Sequence, residues 1–129
     1  MYEWRSHTGE AELSISAGTE EQVFADSIDA FARYVELEPG GEPARRELRV
    51  EAPDRGALLV ELFGELIFLA DTEGFVADRA SVSLEGPRLH AVLDGRLTLV
   101  SPLVKAATYH GLRFEQNGQV WDARIVLDV

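Results

Sequence analysis

The chain has 129 residues, 46% of them hydrophobic, and a formal net charge of −11. This length suits one domain with a sizeable core, and the hydrophobic content is too high for a disordered chain. With 12 basic residues against 23 acidic ones, a surface that grips nucleic-acid phosphates directly is disfavoured. We therefore expect a single domain spanning residues 1–129 that does not bind nucleic acid by itself.

Cysteine is absent, which excludes disulfides, thiolate nucleophiles and zinc–thiolate sites. The first ten residues contain no apolar run typical of a signal peptide. The longest apolar runs, such as residues 66–70, fall far below the roughly 20 residues that cross a bilayer. We expect a soluble, cytoplasmic protein with no membrane contact.

The first predicted elements are a strand and a helix. Apolar and polar residues alternate from Glu10 to Ala17, which predicts a strand with one wet face that begins at Glu10. Thr19 and Gln22 have the spacing of a helix capping box. The helix that they begin should end near Glu38, because Pro39 and two glycines follow it.

A second strand at residues 47–52 and a second helix follow. Asp54 is the predicted N-cap of this strongly apolar helix, and Gly74 is its predicted end. Asp71 and Glu73 lie near the carbonyl end, where acidic side chains oppose the helix macrodipole. They are either solvated in a turn, paired with a base, or holding a ligand, and Asp71 is the candidate for the last role.

The sequence pattern of the second half of the chain, after Gly74, predicts strands and no helix. Residues 80–84 and 89–93 form a hairpin around Gly86-Pro87, and residues 96–102 form an irregular connection. Two strand-like runs then flank Asn117-Gly118, a dipeptide typical of two-residue hairpin loops. The predicted fold is α+β, with two helices packed on a mostly antiparallel six-stranded sheet in the order βαββαβββ.

The Asn117-Gly118 loop fixes a register for the last hairpin. It pairs Phe114 with Trp121, places His110 on the core face, and puts Lys105 diagonal to Asp128 on the polar face. A lysine and an aspartate therefore meet near the end of the chain. An exposed surface ion pair is the plainer interpretation of that contact.

Carboxylates are the strongest candidates for a binding site. Glu10 and Asp128 lie on the polar faces of the first and last strands, and the α-carboxylate of Val129 is one residue further. If these strands are neighbours, three oxygen donors converge, a set that suits Ca²⁺ or Mg²⁺. Solvated strand ends are the alternative. His7 is expected to brace the loop beside Glu10 and is a further candidate residue of the site.

Several short sequence motifs resemble those of the archease family. Residues 105–112 read KAATYHGL and the chain ends in RIVLDV, with His7-Thr8 near the start and residues 71–74 reading DTEG. The family has His-Thr-Ala-Asp where this chain has residues 7–10 as HTGE, so Glu10 stands at a position usually held by a metal-binding aspartate. The resemblance spans essentially the whole chain.

The resemblance implies a non-enzymatic accessory protein that activates an RtcB-type tRNA-splicing RNA ligase by promoting guanylylation of the ligase and multiple turnover. It implies that the aspartates matching Glu10 and Asp128 bind a divalent metal ion, that Lys105 matters for activation, and that the partner ligase uses GTP and metal. Two other functions remain open. One is a small metal-dependent hydrolase, and the other is an acidic, chaperone-like protein-binding module.

Overall fold

The computed structural model describes residues 1–35, 40–98 and 104–129. The strands within these ranges are β1 Tyr2–His7, β2 Glu10–Ala17, β3 Glu42–Glu51, β4 Phe75–Glu85, β5 Arg88–Leu97, β6 Ala106–Asn117 and β7 Val120–Asp128. The helices are α1 Glu20–Tyr34 and α2 Arg55–Phe68, and a π-helical turn, Leu69–Glu73, continues α2.

The strands form two antiparallel sheets, with the orders β1-β2-β7-β6 and β3-β5-β4. The α+β class and its two α-helices are confirmed. The prediction of one six-stranded sheet in the order βαββαβββ is wrong. The described chain has seven strands in two sheets, in the order ββαβαββββ, and one strand instead of two lies between the helices. Sheet membership depends on pairings between distant segments, such as β2 with β7, which periodicity along the chain does not encode.

Both helices begin where their capping residues predict. The Thr19 hydroxyl accepts the N–H of Gln22 at 3.1 Å, and the Asp54 carboxylate accepts the N–H of Ala57 at 2.8 Å. The π-helical turn after α2 ends at Gly74, whose φ is 68°. The predicted end of the first helix near Glu38 lies outside the described residues.

The helices bury their apolar faces against the inner faces of both sheets. The largest fully buried side chains come from α1, α2 and strands of each sheet, and include Phe24, Phe63 and Phe75. Phe31 of α1 meets Phe63 of α2 edge-on, with ring centroids 6.1 Å apart. One cluster of buried side chains therefore joins all the layers.

The register of the last hairpin differs from the prediction. Asn117 pairs with Val120, so the loop is Gly118-Gln119, and Phe114 is opposite Ala123 instead of Trp121. Gly118, with a φ of 64°, supplies the left-handed residue of the turn. Asn117 stays in the strand, where its side-chain amide donates to the Asp122 carboxylate at 2.6 Å.

Strand β6 also contains a large bulge, in which several residues have no directly opposite partner. Thr108 pairs with Val126 and Arg113 pairs with Arg124, so four residues of β6, 109–112, face a single residue of β7. Gly111 in this bulge has a φ of 65°. The bulge changes the alternation of side chains along β6, so positions predicted from the hairpin tip do not carry through to the base.

Strand β5 extends further than the sequence predicted. Arg96 and Leu97, predicted to lie in an irregular connection, are the last residues of β5. Residues 99–102 of that connection lie outside the described residues. None of the helices in the described ranges is long and apolar enough to cross a membrane.

Candidate functional site

The four-stranded sheet carries a row of polar residues at one end. Because β2 lies beside β7, Glu10 is directly opposite Asp128. On the other side of β2, His7 is directly opposite Glu10. Residues directly opposite in neighbouring strands share a face of the sheet, so these three side chains form one row on the face away from the helices. We call it the His7–Glu10–Asp128 row.

The two carboxylates of this row have no compensating charge within the described chain. Neither Glu10 nor Asp128 forms an ion pair or a side-chain hydrogen bond with another described residue. Like charges directly opposite each other across a pair of strands are destabilising. A bound cation would remove this repulsion.

The donor chemistry of the row fits a hard divalent cation. Carboxylate oxygens are the ligands that Ca²⁺ and Mg²⁺ prefer, and Ca²⁺ takes six to eight oxygens, many of them from water. As the side chains stand, however, no group of three or more His, Asp or Glu residues in the described ranges is arranged to hold an ion. Two protein carboxylates therefore fit such an ion only with further ligands from water or from a partner.

Val129 lies beside the row through its backbone. Its N–H donates to the carbonyl of Gly9 at 3.1 Å, which places residue 129 next to the turn between β1 and β2. The role of Val129 as a third oxygen ligand stays a prediction.

Lys105 is joined to Asp128 by its backbone. The Lys105 N–H donates to the Asp128 carbonyl at 2.8 Å, and Ala106 is the residue directly opposite Asp128. The exposed Lys105 side chain forms no ion pair with the Asp128 carboxylate. The predicted diagonal pairing therefore rested on the wrong register, although the two residues are neighbours.

The bulge exposes the middle of the KAATYHGL motif, residues 105–112. Tyr109 is 61% exposed and His110 is exposed as well, so the prediction of His110 on the core face is wrong. Leu112 turns back toward α2, because its side chain lies 3.1 Å from the position that a Cβ on Gly56 would occupy. The Arg124 guanidinium crosses the outer face and donates to the Gly111 carbonyl at 3.0 Å, which fastens the bulge to β7.

Asp71 is not brought to the His7–Glu10–Asp128 row. It lies in the π-helical turn, which also contains Glu73. Glu73 forms an ion pair with Arg46 of β3 at 2.7 Å, and the Arg46 guanidinium stacks over the Phe75 ring at 5.3 Å. Glu73 is thus paired with a base, one of the alternatives that the sequence left open. Asp71 is exposed beside the three-stranded sheet, and its ligand role stays a prediction.

The outer face of the three-stranded sheet carries a second set of charges. Asp94 accepts two hydrogen bonds from Arg45, at 2.7 and 3.4 Å, and this pairing lowers the pKa of the Asp94 carboxyl. His90 lies 2.9 Å from the Glu47 carboxylate, and that hydrogen bond, followed by the charge of Arg49, lowers the pKa of Glu47. This face therefore holds opposite charges in register.

Sequence reasoning found the carboxylates and missed the bulge. The available signal was Gly111 inside an otherwise strand-like run, since an isolated glycine in a strand pattern suggests a bulge. It also missed β1, and with it the position of His7 directly opposite Glu10.

Comparison with known proteins first defines the class of fold. A solution structure of Protein 1598 from Methanobacterium thermoautotrophicum matches with a TM-score of 0.68 and 24% identity, over 99% of this chain and 98% of the other. A crystal structure from Thermotoga maritima, described as an archease and possible chaperone, matches with a TM-score of 0.72 and 20% identity, over 95% and 93% of the two chains. At these identities the likeness shows the fold.

Sequence comparison identifies the family. The family model of the Archease protein family (MTH1598/TM1083) matches residues 2–129. "Protein archease" of Pyrobaculum neutrophilum is 30% identical, with 99% of this chain and 95% of the relative covered. "Protein archease" of Thermococcus gammatolerans is 33% identical over the whole of both chains. The chain belongs to the archease family, and the resemblance seen in its sequence motifs is confirmed.

Proposed function

We propose that this protein activates an RtcB-type RNA ligase of tRNA splicing by promoting guanylylation of the ligase's active-site histidine, and so permits multiple turnover. Membership of the archease family suggests an accessory role with a protein partner. The observation that carries the proposal is the pair of unneutralised carboxylates, Glu10 and Asp128, at an accessible end of the sheet.

The carboxylates would act together with a divalent ion of the Ca²⁺ or Mg²⁺ class. When bound, such an ion would neutralise the two side chains and offer positive charge to phosphate oxygens at the docking surface. Glu10 and Asp128 hold their positions through the β2–β7 ladder, which fixes them before any partner arrives. Val129 and Lys105 border the same end of β7. There the ammonium group of Lys105 would add a second positive charge, beside that of the metal ion, for the phosphate of the guanylyl group that is transferred to the ligase.

An activator fits this surface better than an independent hydrolase. Three grooves in the described part have volumes of about 410, 380 and 530 Å³, and other residues line them. A hydrolase needs a site that surrounds its substrate and a positioned general base. An open row of two carboxylates is completed more readily by a partner protein that supplies the enclosure.

The exposed bulge is the second element of the proposed docking surface. Its first flanking residue, Thr108, is opposite Val126, which lies two residues from Asp128 on the same face of β7. Tyr109 follows Thr108 in the chain and is 61% exposed, and exposed tyrosines are common anchors in protein interfaces. The strongly acidic chain suits a partner that presents basic charge.

A guanylylation assay of the cognate ligase tests the proposal. We expect the wild-type protein to increase the ligase–guanylate yield and Asp128→Asn to lose most of the stimulation. Glu115→Gln is the matched control, because Glu115 is opposite Asp122 on the same face but far along the strands from Asp128. Full stimulation by folded Asp128→Asn would refute the role of the row.

The same preparations separate the alternatives. A hydrolase would cleave phosphate esters in the absence of ligase, with dependence on divalent ion and on Asp128. A chaperone-like module would suppress aggregation of unrelated proteins in EDTA; the Thermotoga maritima protein is described as a possible chaperone. Either result, together with no effect on guanylylation, would replace the proposed function.

A further inference from the structure

Strand β3 is an edge strand with alternating charge. Strand β5 pairs with one edge of β3, and no strand of the described ranges pairs with its other edge. The outward side chains of β3 are exposed and alternate in sign along the strand, in the order Arg45, Glu47, Arg49 and Glu51. A long edge strand with free N–H and C=O groups is a template for pairing with another chain.

This series of four charges is complementary to itself: when a second copy of β3 runs antiparallel to the first, each positive side chain is opposite a negative one. An antiparallel pair centred on Leu48 places Arg45 of one copy opposite Glu51 of the second copy, and Glu47 opposite Arg49. Opposite charges directly across a strand pair are stabilising. In that register Leu48, which lies on the inner face and is buried, would be opposite Leu48 of the second copy.

The complementarity continues across the whole sheet. Within one copy, Asp94 of β5 is opposite both Arg45 and Arg79, while Arg88 is opposite both Glu51 and Glu85. In the paired arrangement, one row crosses all six strands with strictly alternating sign. The row consists of Arg79, Asp94 and Arg45 of one copy followed by Glu51, Arg88 and Glu85 of the second copy.

Two prolines, Pro43 in β3 and Pro53 just after it, define the length of the pairing. In the same register, Pro43 is opposite Pro53 of the second copy, and neither residue has an N–H to donate. The ladder therefore ends at these two positions and spans residues 44–52, which contains all four charged side chains. The self-complementary segment and the segment able to form hydrogen bonds coincide.

The charge balance of this face also favours a second copy of the same chain. Each chain carries a net charge of −11, so two copies repel over most of their surfaces. The outer face of the three-stranded sheet is an exception, because its charges balance. It carries Arg45, Arg49, Arg79 and Arg88 against Glu47, Glu51, Glu85 and Asp94, and Arg96 of the same face is paired with Asp78 at 3.3 Å.

We propose that two copies of this protein pair through β3, antiparallel and centred on Leu48, to form a two-fold dimer with a continuous six-stranded sheet. Edge-to-edge pairing buries a small area, so the dimer belongs to the weak class of interfaces below about 1,200 Å². Its ion pairs make it sensitive to salt, because the Debye length falls from about 8 Å at 0.15 M to about 3 Å at 1 M.

Charge reversal on β3 tests the proposal by complementation. The double variant Arg45→Glu with Arg49→Glu makes all four positions negative, and Glu47→Arg with Glu51→Arg makes all four positive. Each variant repels a copy of itself and is complementary to the other. We expect sedimentation equilibrium at roughly 100 µM to show a dimer for wild type and monomers for each variant.

Mixing the two variants should restore a dimer, which native mass spectrometry identifies as a heterodimer by its mass. Restored pairing also shows that both variants are folded, despite the loss of Arg45–Asp94 in one and Glu51–Arg88 in the other. The control exchanges charges on β4, Arg79→Glu with Glu85→Arg, and should leave the dimer in place because these residues lie at the far ends of the row.

Three results would overturn the proposal. They are a monomeric wild type at that concentration, a dimer that persists in both β3 variants, and a mixture of the two variants that stays monomeric. None of these measurements involves the ligase, so they stand apart from the proposed function.

Discussion

Glu10 and Asp128, at opposite ends of the chain, lie directly opposite each other on neighbouring strands. The ladder between β2 and β7 brings two negative charges together with no ion pair to either of them within the described residues. Charges held in this way lower the stability of the chain by themselves and raise its affinity for a cation.

Asp128→Asn should therefore change stability in opposite directions with and without Ca²⁺. In EDTA the variant should melt at or slightly above the wild-type temperature, because the repulsion with Glu10 is gone. At a Ca²⁺ concentration about 100 times Kd, the wild type should gain about 2.7 kcal/mol and the variant should gain little. Differential scanning calorimetry with and without Ca²⁺ measures both effects.

Glu115→Gln is the control for this experiment. Glu115 is also directly opposite an acid, Asp122, but Asp122 accepts a hydrogen bond from Asn117 and Glu115 lies 3.8 Å from Arg113. The response to Ca²⁺ should therefore match that of wild type. Equal loss of the Ca²⁺ response in both variants would show that the ion binds diffusely to the acidic surface.

Gly111→Ala should destabilise the chain and disturb the bulge. The residue has a φ of 65°, which costs an L-residue about 1–2 kcal/mol, and the new Cβ would lie 3.0 Å from the Arg124 guanidinium. Gly118→Ala is the matched control, since its φ is 64° and no atom lies within 4 Å of its Cβ position. Urea unfolding of both variants isolates the contribution of the Arg124 contact, and equal losses would contradict it.

Asn117→Ala should raise the pKa of Asp122 toward its ordinary value of 3.8. The hydrogen bond from Asn117, and after it one from Ser16, holds that pKa low in the folded chain. A lowered pKa stabilises the folded chain above pH 3.8, and this contribution is lost as pH falls through the lowered value. The variant should therefore lose stability at neutral pH and depend less on pH below 3.8.

Carboxyl ¹³C NMR titration measures this shift directly. Gln116→Ala is the control, because Gln116 pairs with Trp121 on the other face of the hairpin. An unchanged Asp122 pKa in Asn117→Ala would contradict the hydrogen bond between the two side chains.

Two phenylalanines of α2 should differ widely in their effect on stability. Phe63 is fully buried against Phe31, so Phe63→Ala should cost about 3–5 kcal/mol. Phe68, five residues further along the same helix, is 54% exposed, and Phe68→Ala should cost less than about 1 kcal/mol. Guanidinium unfolding compares them, and similar losses would contradict the burial of Phe63.

The sequence by itself determined the local features of this protein. Thr19 and Asp54 begin the helices because a side-chain oxygen at that position satisfies a free N–H in the first turn. Alternation in residues 10–17 gave a strand with the correct inward face, with Ala11, Leu13 and Ile15 buried. The KAATYHGL motif and the carboxylates at residues 10 and 128 carried the family resemblance and the candidate site. Each of these features depends on residues within a few positions of one another.

Tertiary structure decided the pairings and their register. Asn117 was available for a turn or for a hydrogen bond to Asp122, and the ladder with β7 selected the second. Gly111 admitted a bulge that turned His110 outward, because four residues of β6 face one of β7. Strand pairing joins segments far apart in the chain, so its energy resides in contacts that no local pattern contains, and two sheets formed where alternation alone predicted one.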